Sequence, residues 1–210
     1  MRDIYLYEDC GVLKNLLNIK DKKLLEDAEA DYVTYRLKEI AIDSLPGAYD
    51  YEHLLKVHRY IFQDIYEWAG QSRELNIYKE EPVLGGLSID YSDRMDILRD
   101  VENVLAEMTK KPWKNMILHE AAVQFADSLA KLWRIHPFRE GNTRTIVTFC
   151  CQYADEIGLT PNRKLFEDNA QYVRTALVAY NAVFDDLGDL TKKEYLIKIV
   201  EDAIKEKGEA

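Results

Sequence analysis

Ile135-His136-Pro137-Phe138-Arg139-Glu140-Gly141-Asn142-Thr143-Arg144 interrupts sequence that otherwise reads as helix. Pro137 forbids a helix from continuing through it, and Gly141 with Asn142 permits a tight turn into a new one. Working outward, Lys114 to Arg134 carries Leu118, Ala122, Phe125, Leu129 and Leu132 at heptad-like spacing, which predicts an amphipathic helix before the break. Beyond it, a helix is expected from near Asn142, with Ile146, Phe149, Cys150 and Tyr153 facing inward. Further helices are expected over about Asp21 to Ile42, stopped by Pro46 and Gly47, and after Asp50, where Leu54, His58, Ile61 and Ile65 share a stripe. Tyr91 to Met108, Arg163 to Asp185 and Thr191 to Lys205 complete the set, the last opening with a capping-box pattern from Thr191 to Glu194. Arg73 to Ile89 is the exception. Pro82 and the Gly85-Gly86 pair break any helix there, while Leu75, Ile77 and Tyr78 suit extended chain, so an irregular β-hairpin is expected to project from the body. The fold class is all-α with one hairpin.

With 210 residues, 47% of them hydrophobic and 31% charged, the composition is that of an ordinary globular domain able to bury a core without staples. One domain is expected across residues 1–210, with a core over about 5–185 and a C-terminal helical extension over about 186–210. A net charge of -10 repels nucleic-acid phosphates over most of the surface, which argues against DNA or RNA as partner. Cys10, Cys150 and Cys151 are too few and too oddly spaced for a disulfide framework, so a reducing, cytoplasmic setting is expected. The opening residues lack an apolar signal core, and no stretch approaches membrane-span length.

The loop also concentrates chemistry. The first turn of a helix leaves backbone N–H groups unpaired, and a glycine-containing loop before it makes an anion site, to which Arg144 adds a positive charge. Glu140 offers a hard oxygen ligand for a divalent cation on the same phosphates. His136 is the side chain there suited to take a proton near neutral pH. Phosphate cradle, metal ligand and base within nine residues suit phosphoryl-group chemistry. Phe138 reads as an anchor for the loop and Arg139 as a solvated charge.

His136 to Arg144 resembles the signature loop of the Fic family, His-Pro-Phe-x-Glu-Gly-Asn-Gly-Arg-x-x-Arg. The resemblance continues through Val12-Leu13-Lys14-Asn15 and through His58 to Gln71 (HRYIFQDIYEWAGQ) with Arg73 after it, and covers most of residues 5–185. It implies a protein adenylyltransferase that moves AMP from ATP onto a Ser, Thr or Tyr hydroxyl of a target protein, and of itself as a further acceptor. By matching position, His136 would be the general base and Glu140 would hold a magnesium ion on the phosphates. Gly141, Asn142 and Thr143 would line the anion hole, and Arg144 would pair with the β-phosphate. The hairpin would be a flap that aligns an extended target segment by main-chain pairing, with Ile77, Tyr78 and Lys79 nearest the site.

Two positions depart from the pattern. Thr143 stands for glycine, and Val147 stands where the second arginine would reach the γ-phosphate and an inhibitory glutamate. No Ser or Thr is followed four residues later by Glu, the spacing of the family's inhibitory motif. The expectation is an enzyme without internal restraint of that kind, with a separate antitoxin chain as a further partner. The lost arginine opens the choice of donor to UMP or phosphocholine transfer. A rival of another class is a nucleotide-binding module without turnover; His136, Glu140, Asn142 and Arg144 standing together weigh against it. A zinc hydrolase is disfavoured, because His53 and His58 lie about 140° apart at roughly 100° per residue, and His119 is isolated.

Overall fold

The structure, a computed structural model, describes residues 3–205. The expected domain span therefore includes a few residues at either end, 1–2 and 206–210, that lie outside the described chain. Helix α4 (Leu118–Ile135) is the central element, because almost every turn of it is apolar and the helix is covered from several sides. It packs against α3 (Ile97–Thr109), α5 (Asn142–Ile157), α7 (Ala170–Tyr180) and α8 (Glu194–Ile204). Helix α2 (Tyr51–Phe62) lies on α5, and α1 (Lys22–Ile42) on α2. Apolar burial runs from Tyr5 through Phe125, Trp133 and Phe149 to Ile204, so α8 shares the same core.

Local signals explain the helix ends. Asp21 caps α1 by accepting from Leu24 N–H at 2.8 Å, and Asp50 caps α2 by accepting from His53 N–H at 2.9 Å. Helix α4 stops at His136, which adopts the left-handed conformation (φ 53°) with its N–H on the Trp133 carbonyl at 3.1 Å. Gly141 (φ 78°) starts α5, and only glycine fits there: an added Cβ would stand 2.2 Å from the Phe62 ring.

Several expected boundaries move. The helix over Arg163 to Asp185 is two helices, α6 (Arg163–Asp168) and α7, divided at Asn169, whose side chain bonds the Leu165 carbonyl at 2.8 Å. Its last residues instead enter a two-stranded antiparallel hairpin, β1 (Val183–Phe184) with β2 (Gly188–Asp189). Helix α3 begins at Ile97 rather than Tyr91, because Asp93 accepts from Met95 N–H at 2.9 Å and holds a turn before it. A 3-10 turn at Trp113–Asn115 precedes α4, where helix from Lys114 was expected. The Thr191 box does not form; α8 starts at Glu194 without a side-chain cap, and Thr191 N–H bonds Asp189.

The projecting segment at Arg73 to Ile89 is hairpin-like but carries no β-ladder. Leu75 to Glu80 alternates half-buried and exposed residues, as extended chain does. A 3-10 turn at Pro82–Leu84 and Gly85-Gly86 reverses it. Backbone bonds from Glu81 N–H to the Leu87 carbonyl (3.0 Å) and from Gly86 N–H to the Glu81 carbonyl (3.1 Å) close the turn, and the Ser88 hydroxyl accepts from Lys79 N–H at 3.1 Å in place of a carbonyl. The small regular hairpin of the fold is thus β1–β2, while the flap is irregular. Among the described residues, no helix is long and apolar enough to cross a membrane.

Candidate active site

The α4–α5 turn is tied shut from inside. Asn142 accepts from Phe138 N–H at 2.9 Å and donates to the Phe138 carbonyl at 2.7 Å, so its side chain serves the loop and only its N–H faces the helix mouth. Phe138 is fully buried and stacks on His58 at 3.8 Å between centroids. His58 accepts at Nδ1 from Gly70 N–H (2.8 Å), which leaves Nε2 to donate to the Glu140 carbonyl (3.2 Å). Those bonds fit only the neutral ring, and burial pushes His58 down to about 3.

His53 and His136 are also shifted down by burial. The unfolded chain protonates its imidazoles below about pH 6.5, while folded His58 resists until about 3. Over that interval the unfolded state binds more protons, so stability falls as pH falls. Denaturation at stepped pH should show the loss beginning near pH 6.5, ahead of the carboxylates; a flat profile down to pH 5 would contradict this assignment.

His136 lies under Tyr91, ring centroids 4.3 Å apart, with the Trp133 ring at 5.4 Å. It is buried, and neither ring nitrogen has a hydrogen-bond partner among the described residues. Burial first, then the charges of Lys79 and Arg73, keep it neutral well below its ordinary range. It is therefore a free base, although a weaker one than the near-neutral titration expected from sequence. Its strained backbone is clamped by Arg73, which is also buried: Nε donates to the His136 carbonyl at 2.9 Å and Nη1 to Leu75 at 2.7 Å, while Nη2 reaches the Ser92 carbonyl.

The N–H groups of Asn142, Thr143 and Arg144 precede the first bond of α5, from Thr145 N–H to the Gly141 carbonyl at 3.0 Å. Gly141 differs, since its own N–H is taken by Glu140 Oε1 at 2.9 Å. Thr143 gains a partner that glycine could not supply: its hydroxyl accepts from the fully buried Trp133 indole at 2.9 Å. Thr143→Gly is expected to cost about 1–3 kcal/mol by stranding that N–H, measured as a fall in chemical-denaturation stability; an unchanged protein would dismiss the role. Arg144 pairs with Glu29 of α1 at 2.7 Å, stands 3.7 Å from Glu140 and lies over the Phe62 ring. Glu29 is held in turn by the Tyr66 hydroxyl.

Burial alone would raise the Glu140 carboxyl, but Lys79, the Gly141 N–H, Arg144 and Arg139 outweigh it and hold it ionised. Lys79 of the flap reaches Glu140 Oε2 at 3.6 Å, an ammonium where a hard cation would suit. Among the described residues no cluster of three metal-ligating side chains exists, so a divalent ion there would take Glu140 and complete its shell with phosphate and water. Such an ion would neutralise phosphate charge.

Of the three flap residues, Lys79 comes nearest the motif. Ile77 is half-buried beside it, and Tyr78 turns outward with its hydroxyl toward Gly86 at 3.3 Å. Arg139 is paired with Asp3 at 2.8 Å rather than solvated. Sequence reasoning also missed Glu81, a fully buried carboxylate that accepts both arms of Arg174 (2.8 and 2.9 Å) and the Tyr91 hydroxyl. That pair pins the flap to α7 above His136. Nothing in local sequence marks it, because its partners lie far apart in the chain. A cleft of about 790 Å³ opens along the flap between Ile77 and Arg134, and one of about 450 Å³ on its other side between Lys79 and Arg139.

The sequence matches the Fic/DOC family over residues 48–154, just over half of the chain. The protein belongs to that family. It is 32% identical over 156 residues to the protein adenylyltransferase VbhT of Bartonella schoenbuchensis, covering 74% of this chain and 31% of that protein. It is 33% identical over 176 residues to the probable protein adenylyltransferase y4lH of Sinorhizobium fredii, covering 79% and 85%. The fold resembles that of the BepC effector from Bartonella tribocorum with bound AMPPNP, at TM-score 0.77 and 21% identity over 95% of each chain. The chain therefore spans under a third of one curated relative and most of the other.

Proposed function

We propose that the protein is a nucleotidyltransferase of the adenylylating kind, moving AMP from ATP to a Ser, Thr or Tyr hydroxyl of a target protein or of itself. One observation carries the reading: His136 is a buried neutral base with free ring nitrogens, set beside the first turn of α5 and the ionised Glu140. The names of the two curated relatives point the same way. In this reading His136 takes the proton of the attacking hydroxyl as that oxygen bonds the α-phosphorus and pyrophosphate leaves. The N–H groups of Asn142, Thr143 and Arg144, after the turn at Gly141, hold the phosphates. Arg144 balances charge on the leaving group, and Glu140 is the ligand for magnesium. Ile77, Tyr78 and Lys79 form the flap edge along which an extended target segment lies. Residues 1–210 act as one Fic domain, in the reducing cytoplasm that three free thiols suit.

Incubation with magnesium and ATP labelled at the α or γ position tests this. Label transferred from the α position alone supports the proposal; γ label, or none, overturns it. Parallel assays with UTP, GTP, CTP and a phosphocholine donor decide the group transferred, which Val147 leaves open.

Wild-type protein is expected to act without an activating mutation, since the inhibitory spacing is missing from its sequence, and any restraint would come from a separate antitoxin chain. Among the described residues, Glu29 is the glutamate outside the motif that pairs with it, and we read its bond to Arg144 as positioning. Glu29→Gln should leave labelling unchanged or lower it. A rise of about tenfold, roughly 1.4 kcal/mol, would make Glu29 a brake and contradict the reading.

A further inference from the structure

The cations around the α5 mouth are nearly all committed elsewhere. Arg73 is spent on backbone carbonyls, Arg139 on Asp3 and Arg174 on Glu81. Arg144 faces the mouth but is shared between Glu29 at 2.7 Å and Glu140 at 3.7 Å. One turn further along α5, Val147 is half-buried and packs on the core, so it brings no charge. A triphosphate at this mouth would meet N–H groups and a single arginine already matched by carboxylates.

Lys79 reaches the mouth from the flap. Its backbone is fixed by the Ser88 hydroxyl at 3.1 Å, and the alternation of Leu75 to Glu80 turns its side chain inward. Among the described residues its ammonium has one ion-pair partner, Glu140 Oε2 at 3.6 Å, beyond hydrogen-bond length. A long, flexible side chain in so loose a contact can turn to a phosphate oxygen at little cost. Charge-assisted bonds of that kind are among the stronger polar contacts.

We infer that Lys79 is a phosphate-binding residue of the nucleotide site, supplying from the flap the second cation that α5 lacks at Val147. This rests on the nucleotidyl-transfer reading and refines it, since Lys79 then serves the donor rather than the target segment. It also makes the position of the flap depend on whether nucleotide is bound.

Calorimetric titration of ATP, with adenosine as the phosphate-free control, tests it on the whole chain. Lys79→Ala should weaken ATP binding roughly ten- to hundredfold and leave adenosine unaffected. Lys79→Arg should keep most of the affinity. Val147→Arg added to Lys79→Ala should recover part of it; if that double variant does not fold, the Ala–Arg comparison at position 79 decides alone. ATP binding by Lys79→Ala within about twofold of wild type would overturn the inference while leaving the transferase reading intact. Failure of wild-type protein to bind ATP at all would overturn both.

Discussion

Replacing His136 with alanine or asparagine is expected to slow nucleotidyl transfer roughly 10²- to 10⁴-fold while ATP binding stays within about twofold of wild type. The imidazole makes no hydrogen bond among the described residues, so its removal strands no donor or acceptor. What disappears is the base alone. The N–H groups proposed to hold the phosphates belong to α5 and are organised by Asn142, Trp133 and Phe138, none of which depends on the imidazole. Asparagine tolerates the left-handed backbone at position 136 and separates loss of the base from any backbone effect. Comparable losses in binding and in transfer would show that His136 is a structural plug. Undiminished transfer would remove it from the chemistry.

The second large effect is expected at Arg73. The residue is 2% exposed, and its guanidinium links the His136, Leu75 and Ser92 carbonyls, which belong to the motif, the base of the flap and the segment returning from it. Methionine would fill much of the aliphatic volume but supply no donor. Each stranded carbonyl costs about 1–3 kcal/mol, partly offset because a buried cation is also removed. Arg73→Met should therefore lose about 3 kcal/mol or more of stability and release His136 from its strained φ. Lysine at the same position keeps the charge without the planar fork and should recover only part. Denaturant titration with transfer rates at a temperature where both variants are folded reads the two effects separately. A loss below about 1 kcal/mol with unchanged transfer would mean that the loop holds its shape without the clamp.

These predictions concern residues that the sequence exposes unequally. The break at His136 to Arg144 was legible because proline, glycine and asparagine act locally: they end one helix and start another whatever packs around them. The inward stripes of α2, α4 and α5 were legible for the same reason, since periodicity is a property of a single element. Asn169 and the turn at Asp93 were not, because a side chain that bonds its own backbone competes with the helix without altering its hydrophobic pattern. The flap's breakers mark a reversal of the chain, yet Pro82 and the double glycine favour an irregular turn over a ladder.

Within the site, the motif residues stood together in sequence, and the fold brings them to one helix mouth. Their partners were hidden. Glu29, Arg73, Tyr91 and Arg174 come from α1, the flap's two ends and α7, and only tertiary packing brings them there. The neutrality of His136 is likewise set by burial beneath Tyr91, which composition and spacing do not encode. Thr143 likewise departs from glycine in a way that only packing explains, since its hydroxyl accepts from the Trp133 indole.

The most direct test is a crystal structure of the protein with magnesium and a non-hydrolysable ATP analogue. The account predicts phosphates on the N–H groups of Asn142, Thr143 and Arg144, a metal ion on Glu140, and the His136 imidazole turned toward the α-phosphorus. Phosphates bound elsewhere, or an imidazole still sealed beneath Tyr91 with the nucleotide in place, would contradict it.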